Sequence, residues 1–129
     1  SSDLSKGLYR VNSAVDLVNY CSLKSLWPMG LFDAACIQPP VTFRSGLAGE
    51  TYQGIGRDVL NLEGFPLLAD AAGPFGSAIS DSMRTMVTPK TSSVLWVIFA
   101  PAGSLINFEE LGLLMVRFNG GSVTMAGQL

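Results

Sequence analysis

The chain contains no histidine. That absence removes Ser-His-Asp and Cys-His nucleophile systems, most zinc sites, and the side chain that ordinarily serves as a base near neutral pH. Charge is scarce as well. Charged residues make up 14% of the 129 residues, where a soluble domain carries roughly a quarter. Eight basic residues stand against ten acidic ones, for a formal net charge of −2. The basic residues are scattered singly, so no basic face is available to neutralise a phosphate backbone, and no direct nucleic-acid partner is expected.

Cysteine is equally sparse. Cys21 and Cys36 match no metal-ligand spacing and are too few for a disulfide scaffold. They read as two buried thiols, with a disulfide between them as the alternative. No long apolar run survives inspection either. Thr91 to Phe108 is uncharged, but Pro101, Gly103, Ser104 and Asn107 interrupt it, and only Val94 to Ala100 is continuously apolar. A buried strand and its turn are expected there, not a membrane span. No short segment supplies the alternating acidic ligands of a calcium loop. No cofactor or metal is expected.

What is abundant is apolar surface. Apolar residues form 48% of the chain and the mean hydropathy is +0.37. With so few charges to coat a monomer, the composition predicts faces hidden against a neighbour, either a second copy or a parent assembly. The length is that of one domain spanning 1–129. The opening Ser1-Ser2 and the closing Leu129, close behind a strand-like run, suggest an excised or processed piece of a larger protein.

Local patterns predict an α+β, β-rich fold: an antiparallel sheet with a C-terminal Asn-Gly hairpin and one or two helices packed on one face. Leu4, Leu8, Val11, Val15 and Val18 fall on one helical stripe behind Asp3, predicting a helix over about 3–20. A helical turn is expected within Leu31 to Ile37, and a short strand at Val41-Thr42-Phe43. Leu67 to Ala72 reads as a turn of helix. Ser77 heads a second helix, with Ile79, Met83 and Met86 or Val87 on one side, Asp81 in its first turns, and Pro89 at its end. Ser93 to Ala100 reads as a buried strand central in its sheet. Leu113 to Phe118 and Ser122 to Ala126 flank Asn119-Gly120-Gly121, a strong hairpin signal.

Candidate chemistry concentrates in Gly49 to Asp58, GETYQGIGRD. A Walker loop needs GxxxxGK[ST], but Gly49 and Gly54 are followed by Ile55-Gly56, and the dinucleotide pattern lacks its third glycine. The stretch therefore reads as an exposed contact loop in which Tyr52, Arg57, Asp58 and Glu50 meet a ligand or partner. Glu109-Glu110 reads as a solvated pair, because neighbouring residues point apart on any regular element. No serine lies three residues before Lys6, Lys24 or Lys90, so no SxxK dyad is present.

No catalytic set emerges and no enzyme is expected. The leading expectation is a non-enzymatic structural, assembly or surface-interaction module, such as part of a viral capsid or a similar assembly; its location is left open, with a virion or extracellular surface following only if the assembly reading holds. One alternative is a small domain binding carbohydrate or protein through Tyr52, Trp27 or Trp96, with Trp96 placed in the core. The other is a hydrolase or transferase that works without histidine.

Overall fold

Strands buried on both faces show how this chain is layered, and Met29–Asp33 (β1) is the first of them. The computed structural model describes residues 14–24, 27–101, 103, 104, 106, 110 and 111. In β1, Met29 and Leu31 point one way and pack with Ala14, Leu17 and Val18 of a helix over 14–24 (α1). Phe32 points the other way, into a cluster with Leu68 and Phe75. This period-two alternation is what a pleated strand imposes.

The remaining strands are Thr42–Ser45 (β2), Thr51–Gln53 (β3), Val59–Asn61 (β4), Pro66–Asp70 (β5), Gly73–Ser77 (β6) and Val94–Ile98 (β7). They form three antiparallel groups: β1 with β7, β2-β5-β6, and β3 with β4. The β1–β7 register sets Leu31 opposite Trp96 and Phe32 opposite Leu95, so both strands agree on which face meets α1. In β5, Leu68 faces the β1–β7 layer, while Leu67 and Ala69 join Tyr52, Leu60 and Leu62 of the β3–β4 region. The result is a stack of four layers: α1, β1–β7, β2-β5-β6, and the β3–β4 ribbon. It is the α+β, antiparallel, strand-rich architecture expected from the sequence.

Several local expectations are corrected. The apolar stripe of α1 is Ala14, Leu17, Val18 and Cys21, while Val15 is exposed. Leu4, Leu8 and Val11 lie outside the described residues. Leu31 to Asp33 is strand, and the helical turn is only the 3-10 segment Ala34–Cys36, capped by Asp33, whose Oδ1 accepts from the Ala35 amide at 3.0 Å. Leu67 to Asp70 is a fully buried strand instead of a helical turn, because it must fill the space between two layers.

No helix follows Ser77. Its hydroxyl does accept from the Ile79 and Ser80 amides, as an N-cap would, but Ser82 N then donates to Phe75 O and turns the chain back beside β6. Only the 3-10 turn Met83–Thr85 remains helical. Among the described residues, strand β7 is paired with β1. The expected Asn-Gly hairpin over 113–126 lies outside the described residues. Both thiols are unbridged, Cys21 buried and Cys36 exposed, so only the first sits where expected.

Two contacts fix how the layers meet. The Phe32 ring, fully buried, stands edge-on to Phe75, with centroids 5.0 Å apart and planes at 87°. It occupies the room that two glycines leave: a Cβ on Gly30 would come within 2.7 Å of its ring, and one on Gly76 within 2.5 Å. The second is a clasp around Asp70, whose side chain is fully buried. It accepts from the Gln38 amide (2.9 Å), the Ala72 amide (3.0 Å) and both terminal nitrogens of Arg84 (2.8 and 3.1 Å). It thereby ties the chain after Cys36, the β5–β6 turn and the Met83–Thr85 turn to one carboxylate.

Gly76→Ala should therefore cost about 1–3 kcal/mol or more, since the new methyl meets a ring that cannot move in a filled core. Gly56→Ala should cost only about 1 kcal/mol, because at φ +66° the penalty is backbone strain with open space around it. Urea unfolding of the two variants side by side measures the contrast, and equal losses would contradict the assignment of Gly76 to the Phe32 seat.

Candidate functional site

The end of α1 and the start of β1 border a shallow concave surface. Ser22 Oγ donates to the Trp27 carbonyl at 2.7 Å, which folds the chain sharply ahead of Pro28. Ser22, Leu23, Trp27, Pro28 and Met29 then line a shallow, open depression of about 350 Å³, closed on its far side by Ala78. Its walls are mainly apolar. Leu23 is 77% exposed and Ile79, next to Ala78, 65%, so a large part of the rim stands in solvent.

Asp81 lies apart from the depression, in the seam between the β1–β7 and β2-β5-β6 layers, on the face of β1 opposite Met29. It bridges to Gly76, and its carbonyl accepts from the Ile55 amide at 3.0 Å. Its Oδ1 is 3.7 Å from the Cβ position of Gly30 and 3.6 Å from that of Gly76. The carboxylate thus rests over the Phe32 seat, on the strand that supplies Met29 and on the strand that leads to Ala78. Among the described residues no side-chain hydrogen bond or ion pair to Asp81 is seen, and burial pushes its carboxyl up to about 6. Nearby, the Ser82 and Thr85 hydroxyls are buried with no hydrogen-bond partner. Trp96 Nε1, on β7, is likewise buried without a partner among the described residues.

The residues expected to form a contact loop are not brought together. GETYQGIGRD is not one exposed loop but the greater part of the β3–β4 ribbon. Tyr52 is buried at 9% exposure, and its hydroxyl donates to the Ser80 carbonyl and to Ser77 Oγ. Burial raises its phenol above the ordinary value, against a smaller lowering by Ser77. Glu50 turns away to Arg44, which grips it with two nitrogens at 2.6 and 2.7 Å. That ion pair, joined by the Leu47 amide, holds the Glu50 carboxyl down at about 2. Arg57 and Asp58 stand exposed at the ribbon turn, where the Arg57 carbonyl accepts from the Gln53 amide group. Trp96 packs against the α1–β1 cluster as expected.

Sequence reasoning passed over Asp81 because it read the acid as a helix-dipole partner. The signal that it missed was the spacing of glycines: Gly30 and Gly76 flank the site from different strands, and nothing in one-dimensional order links them. Trp27 was noticed, but the depression it lines depends on Ala78, far along the chain. Among the described residues no group of three or more Cys, Asp or Glu could hold a metal ion.

A family model for the B3/4 domain matches residues 4–108, and the chain belongs to that family. The match spans every residue of the depression and Asp81. B3/4 domains are found in tRNA-binding and phenylalanyl-tRNA synthetase β-subunit-like proteins, not in viral capsids or carbohydrate binders. The capsid and assembly expectation is therefore overturned, together with carbohydrate binding and the virion setting. No curated protein and no solved structure gives a match. Among the described residues no helix is long and apolar enough to cross a membrane.

Buried Asp70 and partly buried Asp81 predict pH effects of opposite sign. For Asp70, burial raises the carboxyl, but the hydrogen bonds from Arg84, Gln38 and Ala72 outweigh it and hold it below its ordinary value. Its contribution is present above the unfolded value of roughly 3.9 and is lost as pH falls below it. For Asp81 the folded state keeps a proton that the unfolded state has released. Stability should fall as pH rises from about 4 to about 6, by about 2 kcal/mol at most after allowing for partial exposure. Asp81→Asn should abolish that decline and raise stability at pH 7, whereas Asp70→Asn should lower it by about 2–3 kcal/mol. Thermal unfolding from pH 3 to 8 reads both; an unchanged pH 4–6 slope in Asp81→Asn would refute the Asp81 assignment.

Proposed function

We propose that this chain is a non-catalytic recognition module of a phenylalanyl-tRNA synthetase β-subunit-like protein, receiving the aminoacyl end of a charged tRNA in the Trp27–Met29 depression. The observation that carries the reading is the B3/4 match, which runs through the whole depression. An open, mainly apolar bowl suits an amino-acid side chain better than it suits a sugar-phosphate chain. With a net charge of −2, the chain is a poor holder of phosphates on its own. In this reading the rest of the parent protein supplies the phosphate contacts, and the parent is the protein partner. The absence of histidine from the sequence supports binding over hydrolysis, since the usual neutral-pH base is missing.

Binding of aminoacylated and uncharged tRNA at low salt tests this directly. The charged form should be retained about threefold or more better, a difference of under 1 kcal/mol, and Trp27→Ala should erase the preference. Equal retention of both forms by the unaltered chain would sink the recognition reading. Release of the amino acid faster than in buffer alone would sink the non-catalytic part.

A further inference from the structure

We infer that Tyr52 is a positioning residue for the Trp27–Met29 depression: from the layer behind, its hydroxyl holds the turn over 77–80, which carries the far wall. The inference rests on the recognition reading of that depression and adds to it the residue that sets where one of its walls stands.

The two sides of the depression are held differently. On the near side the Ser22 hydroxyl draws in the Trp27 carbonyl, and Met29 belongs to β1, where it packs with α1. On the far side the wall is Ala78, and both Ala78 and its neighbour Ile79 are exposed. Packing therefore does not fix this wall. The serines on either side of it do. Ser77, the last residue of β6, donates its amide to the Ser80 carbonyl at 2.9 Å and its hydroxyl to the same oxygen at 3.0 Å, and that hydroxyl accepts from the Ile79 and Ser80 amides. These bonds give the turn its shape, but all of them lie inside it.

The phenol ties the turn to another layer. Tyr52 stands on β3 with its ring buried among Leu60, Leu62, Leu67 and Ala69, and its hydroxyl reaches the turn, donating to the Ser80 carbonyl with Ser77 Oγ 3.4 Å away. Phenylalanine would fill the same space in that cluster. The hydroxyl adds nothing to the packing and is costly to bury unless it is bonded, and both of its partners are the ends of the wall. The ribbon backs the turn at one more point, where the Ile55 amide donates to the Asp81 carbonyl at 3.0 Å. Gly54 allows that approach, since a Cβ there would meet Ser80 Oγ at 3.0 Å. Ala78 is thus slung between a strand end at Ser77 and a buried phenol at Ser80. A wall fixed before the ligand arrives lowers the ordering cost of binding.

The test compares the full chain with Tyr52→Phe, which keeps the ring and deletes the tie, and with Val97→Ala, which removes packing from the Phe32 side of β7. Amide hydrogen exchange reads the wall directly. In Tyr52→Phe the Ser77 and Ser80 amides should exchange about fivefold faster relative to the amides of β1, the factor that one lost hydrogen bond of ordinary strength allows. If the β1 amides speed up by the same factor, the hydroxyl serves stability alone and the inference is overturned. Retention of aminoacylated over uncharged tRNA at low salt reads the consequence: a preference of about threefold in the unaltered chain should persist in Val97→Ala and vanish in Tyr52→Phe. A Tyr52→Phe chain that keeps the preference would also overturn the inference. If the unaltered chain shows no preference, the recognition reading fails by itself, and the exchange ratio decides whether Tyr52 holds the wall.

Discussion

The seating of Phe32 between Gly30 and Gly76 is the constraint from which much of this fold follows. One ring fills the space that two missing side chains leave, and that brings the β1–β7 layer and the β2-β5-β6 layer to contact distance through the Phe32–Phe75 edge. Burying a phenylalanine stabilises by about 2–3 kcal/mol, but its larger effect is geometric. With Phe32 committed inward, alternation along β1 sends Leu31 and Met29 to the other face, where α1 must cover them. The same seat leaves a carboxylate, Asp81, suspended over two bare backbone positions. A packing solution in the core and an unusual electrostatic feature at the surface thus share one cause.

Much of the fold class was legible in the sequence, because period-two and β-branched patterns report pleated strands wherever one face is buried. Ser93 to Ala100, which contains β7, was visible through its β-branched and aromatic run, and Val41 to Phe43 overlaps β2. Three kinds of element were not. Leu67 to Asp70 is buried on both faces, so it has no alternation to betray it, and a short apolar run fits either helix or strand. Ser77 makes the local hydrogen bonds of a helix cap, and only the long-range pairing of Ser82 with Phe75 shows that no helix follows. The stripe on α1 was read one position out of place, because Val15 is apolar but exposed, while Ala14 and Cys21 are small and buried.

The candidate site was less legible than the fold. Polar and flexible residues clustered in GETYQGIGRD drew attention, yet a glycine-rich stretch turns corners for structural reasons as readily as it binds ligands, and here Tyr52 points into the core. The residues that do form a concavity are Trp27, Met29 and Ala78, separated by about fifty positions and unremarkable in composition. Charge poverty was also misattributed to assembly. Strands such as β1 and β5 face apolar layers on both sides, and a stack of thin layers consumes apolar residues that a two-layer domain of this size would not need. Membership of the B3/4 family then replaces a shell component with a synthetase-type module.

The unequal setting of the two thiols gives the layered stack a built-in pair of reporters. Cys36 stands in solvent at the end of the short 3-10 turn, while Cys21 is buried on α1, where desolvation raises its pKa first of all. Thiolate is the reactive form, so an alkylating reagent meets one site in the folded molecule and a second only when the helix lifts from the β1–β7 layer. A dye on Cys36 would sit on the intact molecule with no engineered residue. The slower modification of Cys21 would time the departure of the outermost layer separately from the unfolding of the sheets beneath it.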